Sequence, residues 1–192
     1  MPECAWGHIG TNDADNHSQN TAMNISRLLR PDLIKLRMET TIEAGGDGDE
    51  GAVRSGRQKR DDKEKILEEL VDLLDRSEKI GNRRKLLIDF VNRERKATTA
   101  IGHGIAIPHV RSIQAKEMLI GVALADPGYD FDAPDGQLVR IFFVMAAPPY
   151  DDNLYLKLFK SLAELLRFDY FRARLLEAKA EYDIVRAFDE MG

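Results

Sequence analysis

The sequence predicts an α/β fold, a layered sandwich in which a central mixed β-sheet is flanked by helices. Three observations carry that expectation. Helical periodicity occupies the stretches before residue 97 and after residue 152, two β-like runs lie between them, and the second run, "LVRIFFVMAA" at 138–147, is apolar at nearly every position. A strand apolar on both faces has to be covered on both faces, which places helices on either side of the sheet. With 192 residues, 43% of them hydrophobic, the chain can bury one substantial core, so a single domain over 23–192 is expected. No internal repeat is present.

Taken in order, residues 1–22 are polar and rich in Asn and Asp, and they read as a flexible tail because ordering them would cost entropy that little burial could offset. Met23 is a candidate start of its own. "MNISRLLRPDLI" follows with a short helical pattern, a break at Pro31-Asp32 and a strand over 33–38. Residues 43–62, "EAGGDGDEGAVRSGRQKRDD", read as a charged, glycine-rich loop insertion, on which Arg54, Arg57, Lys59 and Arg60 would form a solvated basic strip. From Asp62 onward Ile66, Leu67, Leu70, Val71, Leu73 and Leu74 share one helical face. Asn82 is suited to cap a second helix carrying Leu86, Leu87, Phe90 and Val91. Strands are expected over 117–125 and 138–147, with Pro127-Gly128 and Asp135-Gly136 supplying turns between them. A helix from Asp152 places Leu154, Leu158, Leu162, Leu165 and Leu166 together, a cap at Asp169 opens another, and residues 181–191 form a last short one.

Composition excludes several classes of function. A formal net charge of -5 provides no overall basic field for nucleic acid or an anionic membrane. Cys4 is the single cysteine, so an intrachain disulfide and a cysteine-based metal site are both ruled out, and a reducing cytoplasm is the expected compartment. Apolar runs such as "IFFVMAAPP" fall short of the about 18 residues a membrane-spanning helix needs, and the first thirty residues lack the pattern of a secretory signal.

The chemistry concentrates in "GHGIAIPHVRS", residues 102–112. Pro108 fixes its own φ and biases Ile107 toward an extended conformation, so the imidazole of His109 leaves the strand end in few directions. A neutral imidazole can attack phosphorus and carry the group as a phosphoramidate. Gly102 and Gly104 would let a phosphate or a partner approach the backbone, Arg111 or Arg93 would offer guanidinium donors, and Thr98 and Thr99 would add hydroxyls. The same residues also fit a plainer reading, a partly buried histidine at a strand end with glycines marking a bulge. His103 and His109 would share a face of a regular strand, but the domain has no third histidine and no cysteine, so no metal site is expected.

The longer segment "NRERKATTAIGHGIAIPHVRS" closely resembles the active-site segment of type-2 enzyme IIA domains of the phosphoenolpyruvate-dependent sugar phosphotransferase system, the fructose, mannitol and nitrogen-regulatory branch. The likeness extends to "LLRPDLIKL", "ILEELVDLL", "DFDAPDGQLVRIFFVMAAP" and "LFKSLAELLR". It implies that His109 is the phosphorylated histidine and that Arg93 lies near the phosphate. It further implies transfer from the histidine-containing phosphocarrier protein to His109, then to a cysteine of a IIB domain or to a regulatory outcome, without an organic cofactor. Three positions depart from the family pattern. Tyr155 stands where many relatives have a second histidine, and a phenol cannot exchange a proton at neutral pH as an imidazole does. Val110 replaces a small residue and would narrow the approach of a partner, and the 43–62 stretch is longer than the usual connection. Two functions follow: a phosphocarrier serving a IIB domain, or a nitrogen-branch regulatory module whose phosphorylation state controls a protein partner.

Overall fold

The computed structural model describes residues 25–42, 55–150 and 152–191. The expected tail at 1–22, the candidate start at Met23 and residues 43–54 of the loop expected over 43–62, Arg54 among them, lie outside the described residues. Two 3-10 turns, Ile25–Leu28 and Pro31–Leu33, lead into β1 (Ile34–Lys35), and then come α1 (Gly56–Asp75) and α2 (Arg83–Lys96). The middle of the chain supplies β2 (Ala100–Gly102), β3 (Ile105–Ala106), β4 (His109–Arg111), β5 (Leu119–Tyr129) and β6 (Val139–Ala147). The chain closes with α3 (Asp152–Leu165), α4 (Asp169–Leu176) and α5 (Glu181–Asp189).

The six strands form one mixed sheet in the order β1-β5-β6-β3-β2, with β4 also paired to β6. β1 runs parallel to β5, β3 and β4 run parallel to β6, and the β5/β6 and β2/β3 pairs are antiparallel. Period-2 alternation divides the two central strands between two cores. Phe142, Val144 and Ala146 of β6 pack with Leu119 and Ala123 of β5 against Leu67, Leu70, Leu74, Leu86 and Phe90 of α1 and α2. Ile141, Phe143 and Met145 pack with Ile120 and Val122 against Leu158 and Leu162 of α3, Phe171 of α4 and Phe188 of α5. The apolar run of β6 is therefore the buried centre of a three-layer sandwich, as the sequence predicts. Gly121 of β5 sits beneath Leu73 of α1. A Cβ there would lie 3.0 Å from Val144 Cγ1 and 3.2 Å from the Leu33 carbonyl, so a side chain would push the layers apart.

Four local expectations need correction. The helix expected from Asp62 begins at Gly56, so Arg57, Lys59 and Arg60 lie in its first turns and not on a loop. The cause is a reciprocal cap: Gln58 N–H donates to Ser55 Oγ at 3.2 Å and Ser55 N–H donates to Gln58 Oε1 at 2.9 Å, which satisfies two otherwise orphaned donors. The strand at 33–38 shrinks to two residues, because Pro31 starts a 3-10 turn that runs to Leu33. Pro127-Gly128 does not end a strand. β5 passes through it with a register shift between Leu124 and Tyr129 and pairs again at Tyr129–Val139, while the reversal itself uses Asp135-Gly136, with Gly136 at φ +71°. Asp169 is the first residue of α4 and not its cap; its carboxylate is taken by the Arg172 guanidinium one turn on. At Asn82 the expectation holds, since its side-chain oxygen accepts from Lys85 N–H at 2.9 Å. No helix among the described residues is long and apolar enough to cross a membrane.

Candidate phosphohistidine site

The site arises where a strand is interrupted. β3 pairs with β6 through Ala106↔Phe142, and β4 resumes the pairing at His109↔Met145. Between them Pro108 has no N–H to give the ladder, although its carbonyl still accepts from Met145 N–H at 2.9 Å. The break leaves the Ile107 carbonyl facing the His109 ring, and Nδ1 lies 2.6 Å from that oxygen. A carbonyl only accepts, so Nδ1 carries a hydrogen and donates it. On the other side of the ring Arg93 Nη2 lies 3.1 Å from Nε2. A guanidinium only donates, so Nε2 presents its lone pair. The two contacts together define the neutral Nδ1–H tautomer with a basic, outward Nε2.

Burial holds the imidazole below its ordinary pKa of 6.5. The nearby charge of Arg93 pushes in the same direction, while the Ile107 hydrogen bond and the Glu94 charge oppose it. Two aromatic rings of α3 pack against the imidazole. Phe159 meets the His109 ring edge-on at 5.3 Å between centroids, and Tyr155 lies tilted at 6.2 Å. Burial also raises the Tyr155 phenol above 10, so at neutral pH it keeps its hydrogen.

His109 opens into a cleft of about 740 Å³ between the C-terminal half of α2, β4 and the start of α3. Among the described residues, Arg93, Lys96 and Arg111 line it with one carboxylate, Asp89, and Asn92 adds an amide. The result is a cationic cleft with a nucleophilic nitrogen at its wall, chemistry suited to a phosphoryl group. Helix α2 is tied down at two points. Ser112 Oγ donates to Asp89 at 2.5 Å, and Arg93 Nη1 donates to the Ala97 carbonyl at 3.0 Å, where it also complements the negative end of the helix.

The structure brings together His109, Arg93, Arg111 and Tyr155 and leaves out the two threonines. Thr99 is buried, and its hydroxyl donates to Glu94 Oε2 at 2.6 Å. Thr98 Oγ1 donates to the Phe131 carbonyl at 2.9 Å and borders a different cavity. Neither hydroxyl lines the cleft, so the expected Thr98 or Thr99 phosphate donor is corrected: both side chains complete the hydrogen bonding of the chain between α2 and β2. Gly102 and Gly104 likewise serve the β2–β3 turn, at φ +88° and +72° beside Asp135 and the Leu138 carbonyl, and not the cleft. Val110, expected to narrow a partner's approach, points into the core beneath α2 and contributes to the cleft floor. Sequence reasoning missed Phe159, Asp89, Asn92 and Lys96. Helical spacing carried the signal, since residues 89, 92, 93 and 96 share one face of α2 and Phe159 follows Tyr155 by four. Among the described residues no group of three or more His, Cys, Asp or Glu side chains is placed to hold a metal ion.

Residues 49–191 match the family described as "Phosphoenolpyruvate-dependent sugar phosphotransferase system, EIIA 2". The chain belongs to this family. It is a IIA component, part of a phosphotransferase relay. The fructose-specific EIIABC component of Bacillus subtilis is 30% identical over 171 residues, which cover 88% of this chain and 24% of that larger protein. A nitrogen regulatory protein of Pseudomonas aeruginosa is 32% identical over 126 residues, covering 64% of this chain and 82% of that one. Among solved structures, the nitrogen regulatory protein IIA-Ntr from Neisseria meningitidis superposes with a TM-score of 0.71 at 23% identity, covering 86% of this IIA chain and 99% of its own. Enzyme IIA mannitol of Escherichia coli, solved in complex with phosphorylated enzyme IIB mannitol, superposes with a TM-score of 0.63 at 14% identity, covering 84% and 97%. These structures share the fold of this IIA domain.

Proposed function

We propose that His109 Nε2 accepts a phosphoryl group from the histidine-containing phosphocarrier protein and relays it to a IIB domain. The observation that carries this reading is the opposite assignment of the two ring nitrogens, Nδ1–H to Ile107 O and the Nε2 lone pair toward Arg93. The Nε2 lone pair attacks phosphorus in line. As the new N–P bond forms, the donor's N–P bond breaks and its electron pair returns to the donor imidazole. The Nδ1 proton stays on His109, and the positive charge that develops on the ring is shared with the Ile107 carbonyl. Arg93 exchanges its contact with Nε2 for the phosphoryl oxygens, a short displacement from 3.1 Å, and stabilises the charge spread over them. Because burial keeps the ring neutral at physiological pH, the lone pair is available without prior deprotonation. Tyr155 supplies a hydrogen-bond donor at the cleft edge and no proton shuttle. Onward transfer runs the same steps with a IIB cysteine thiolate as the attacking group.

Incubation with phosphoenolpyruvate, enzyme I and the phosphocarrier protein is expected to place an acid-labile phosphate on the wild type and none on His109→Ala. A wild type that stays unmodified would refute the reading. A second reading is favoured by Tyr155 and by the likeness to nitrogen regulatory proteins: the phosphate is retained and alters binding to a protein partner through its charge. Mixing phosphorylated protein with IIB domains separates the two, since fast loss of label supports relay and a stable phosphoprotein supports the regulatory module.

A further inference from the structure

Both nitrogens of His109 belong to a circuit of hydrogen bonds that starts in the cleft wall, passes behind it and is closed by the chain between Arg93 and Glu94. Glu94 follows Arg93 on α2 and faces away from the cleft, where it is buried. Its carboxylate accepts Thr99 N–H at 3.0 Å, Thr99 Oγ1–H at 2.6 Å and Lys63 Nζ–H of α1 at 2.9 Å. The Thr99 carbonyl accepts Ile107 N–H at 3.0 Å. The Ile107 carbonyl accepts the Nδ1–H of His109, and Nε2 accepts from Arg93, the residue next to Glu94 in the chain. Arg93 is itself steadied by the Ala97 carbonyl, two residues before Thr99.

Two residues, Thr99 and Ile107, thus lie in series between Glu94 and the ring, each joined to the next through its own backbone N–H and C=O. Each donor and acceptor sits on a separate amide, so the coupling is positional: buried, fully satisfied bonds of this kind leave few alternative arrangements. We infer that Glu94 and Thr99 are positioning residues that hold the Ile107 carbonyl and Arg93 in place around His109 and so select the Nδ1–H tautomer. Neither touches the phosphoryl group. Lys63 anchors the circuit to α1, and because it also pairs with Asp132 at 2.8 Å, it has a second acid partner if Glu94 loses its charge. A carbonyl turned away from Nδ1 would free the ring to take the other tautomer, in which Nε2 bears the hydrogen and has no lone pair for attack. The role of the circuit in phosphotransfer rests on the proposed function, but its effect on the ring does not.

The test uses Thr99→Val, which removes the hydroxyl from a side chain of nearly the same shape, Thr99→Ser, which restores it, and Glu94→Gln. Imidazole nitrogen NMR shifts of His109 report the tautomer, and circular dichroism reports folding. In wild type and Thr99→Ser the shifts are expected to show one protonated nitrogen, Nδ1. In Thr99→Val and Glu94→Gln they should move toward a mixture, and the phosphorylation rate should fall about tenfold or more, as small misplacements of reacting groups do. Folded Thr99→Val or Glu94→Gln protein with wild-type imidazole shifts would overturn the inference. If the wild type accepts no phosphoryl group, the proposed function fails while the NMR shifts still decide the role of the circuit.

Discussion

Replacing Arg93 isolates the electrostatic part of the site. Its guanidinium serves two acceptors at once, His109 Nε2 at 3.1 Å and the Ala97 carbonyl at 3.0 Å, so Arg93→Met removes a donor aimed at the reacting nitrogen and the brace that aims it. Removing one preorganised donor from a developing anion costs about 2.7–4 kcal/mol, which is roughly 10²–10³ in rate. A second effect has to be separated from this one. The Arg93 charge helps hold the His109 pKa below 6.5, although burial contributes more, so the variant's pKa should rise partway toward that value. Near pH 6 a higher pKa would deplete the neutral ring and slow attack, but near pH 8 both proteins are neutral at His109. The rate of phosphorylation by the phosphocarrier protein, measured at both pH values, is therefore expected to stay about a hundredfold or more below wild type at pH 8 and to fall further at pH 6. Arg93→Lys should recover only part of the loss, because a point charge cannot span both acceptors in the same plane. A wild-type rate for Arg93→Met at pH 8 would rule out an electrostatic role for Arg93.

Three further predictions concern stability. His109 has a folded pKa below its unfolded value, so its contribution is fully present above about pH 6.5, declines as pH falls toward the folded value and is constant below it. Urea unfolding of wild type and His109→Gln between about pH 7.5 and pH 5 should show the wild type losing more stability, and equal slopes would contradict the pKa assignment. Phe142→Ala opens the layer between β6 and α1 at a fully buried position and should cost about 3–5 kcal/mol in urea unfolding, with a loss under about 1 kcal/mol contradicting the packing described. Asn82→Ala removes the cap of α2 and should cost about 1 kcal/mol, and an unchanged unfolding midpoint would show that the Lys85 contact contributes nothing.

The layers of this IIA domain were legible because they depend on side-chain periodicity. The apolar run of β6 demanded cover on both faces, the i, i+3, i+4 pattern at Ile66–Leu74 and Leu86–Val91 supplied one layer, and Leu158, Leu162 and Leu166 supplied part of the other. What escaped depends on single contacts. The start of α1 at Gly56 rests on the Ser55/Gln58 pair, a capping signal that was readable but submerged among glycines and charges. β3 and β4 are too short to show a period, and their break at Ile107-Pro108 matters for where it leaves one carbonyl. At the site, the resemblance pointed to His109 and Arg93, and the structure places their nitrogens 3.1 Å apart. Thr99 was misread because a hydroxyl near a reactive histidine in sequence suggests a ligand, whereas its direction is set by Glu94, a partner five residues away across the end of a helix.

Nε2 of His109 is the atom proposed to take the phosphoryl group. Phosphorus NMR of the phosphorylated protein, with phosphorus–nitrogen couplings assigned to the His109 ring, distinguishes the possible sites. One phosphoramidate is expected, on Nε2, with the hydrogen still on Nδ1. A phosphoryl group on Nδ1, or on a residue other than His109, would contradict it.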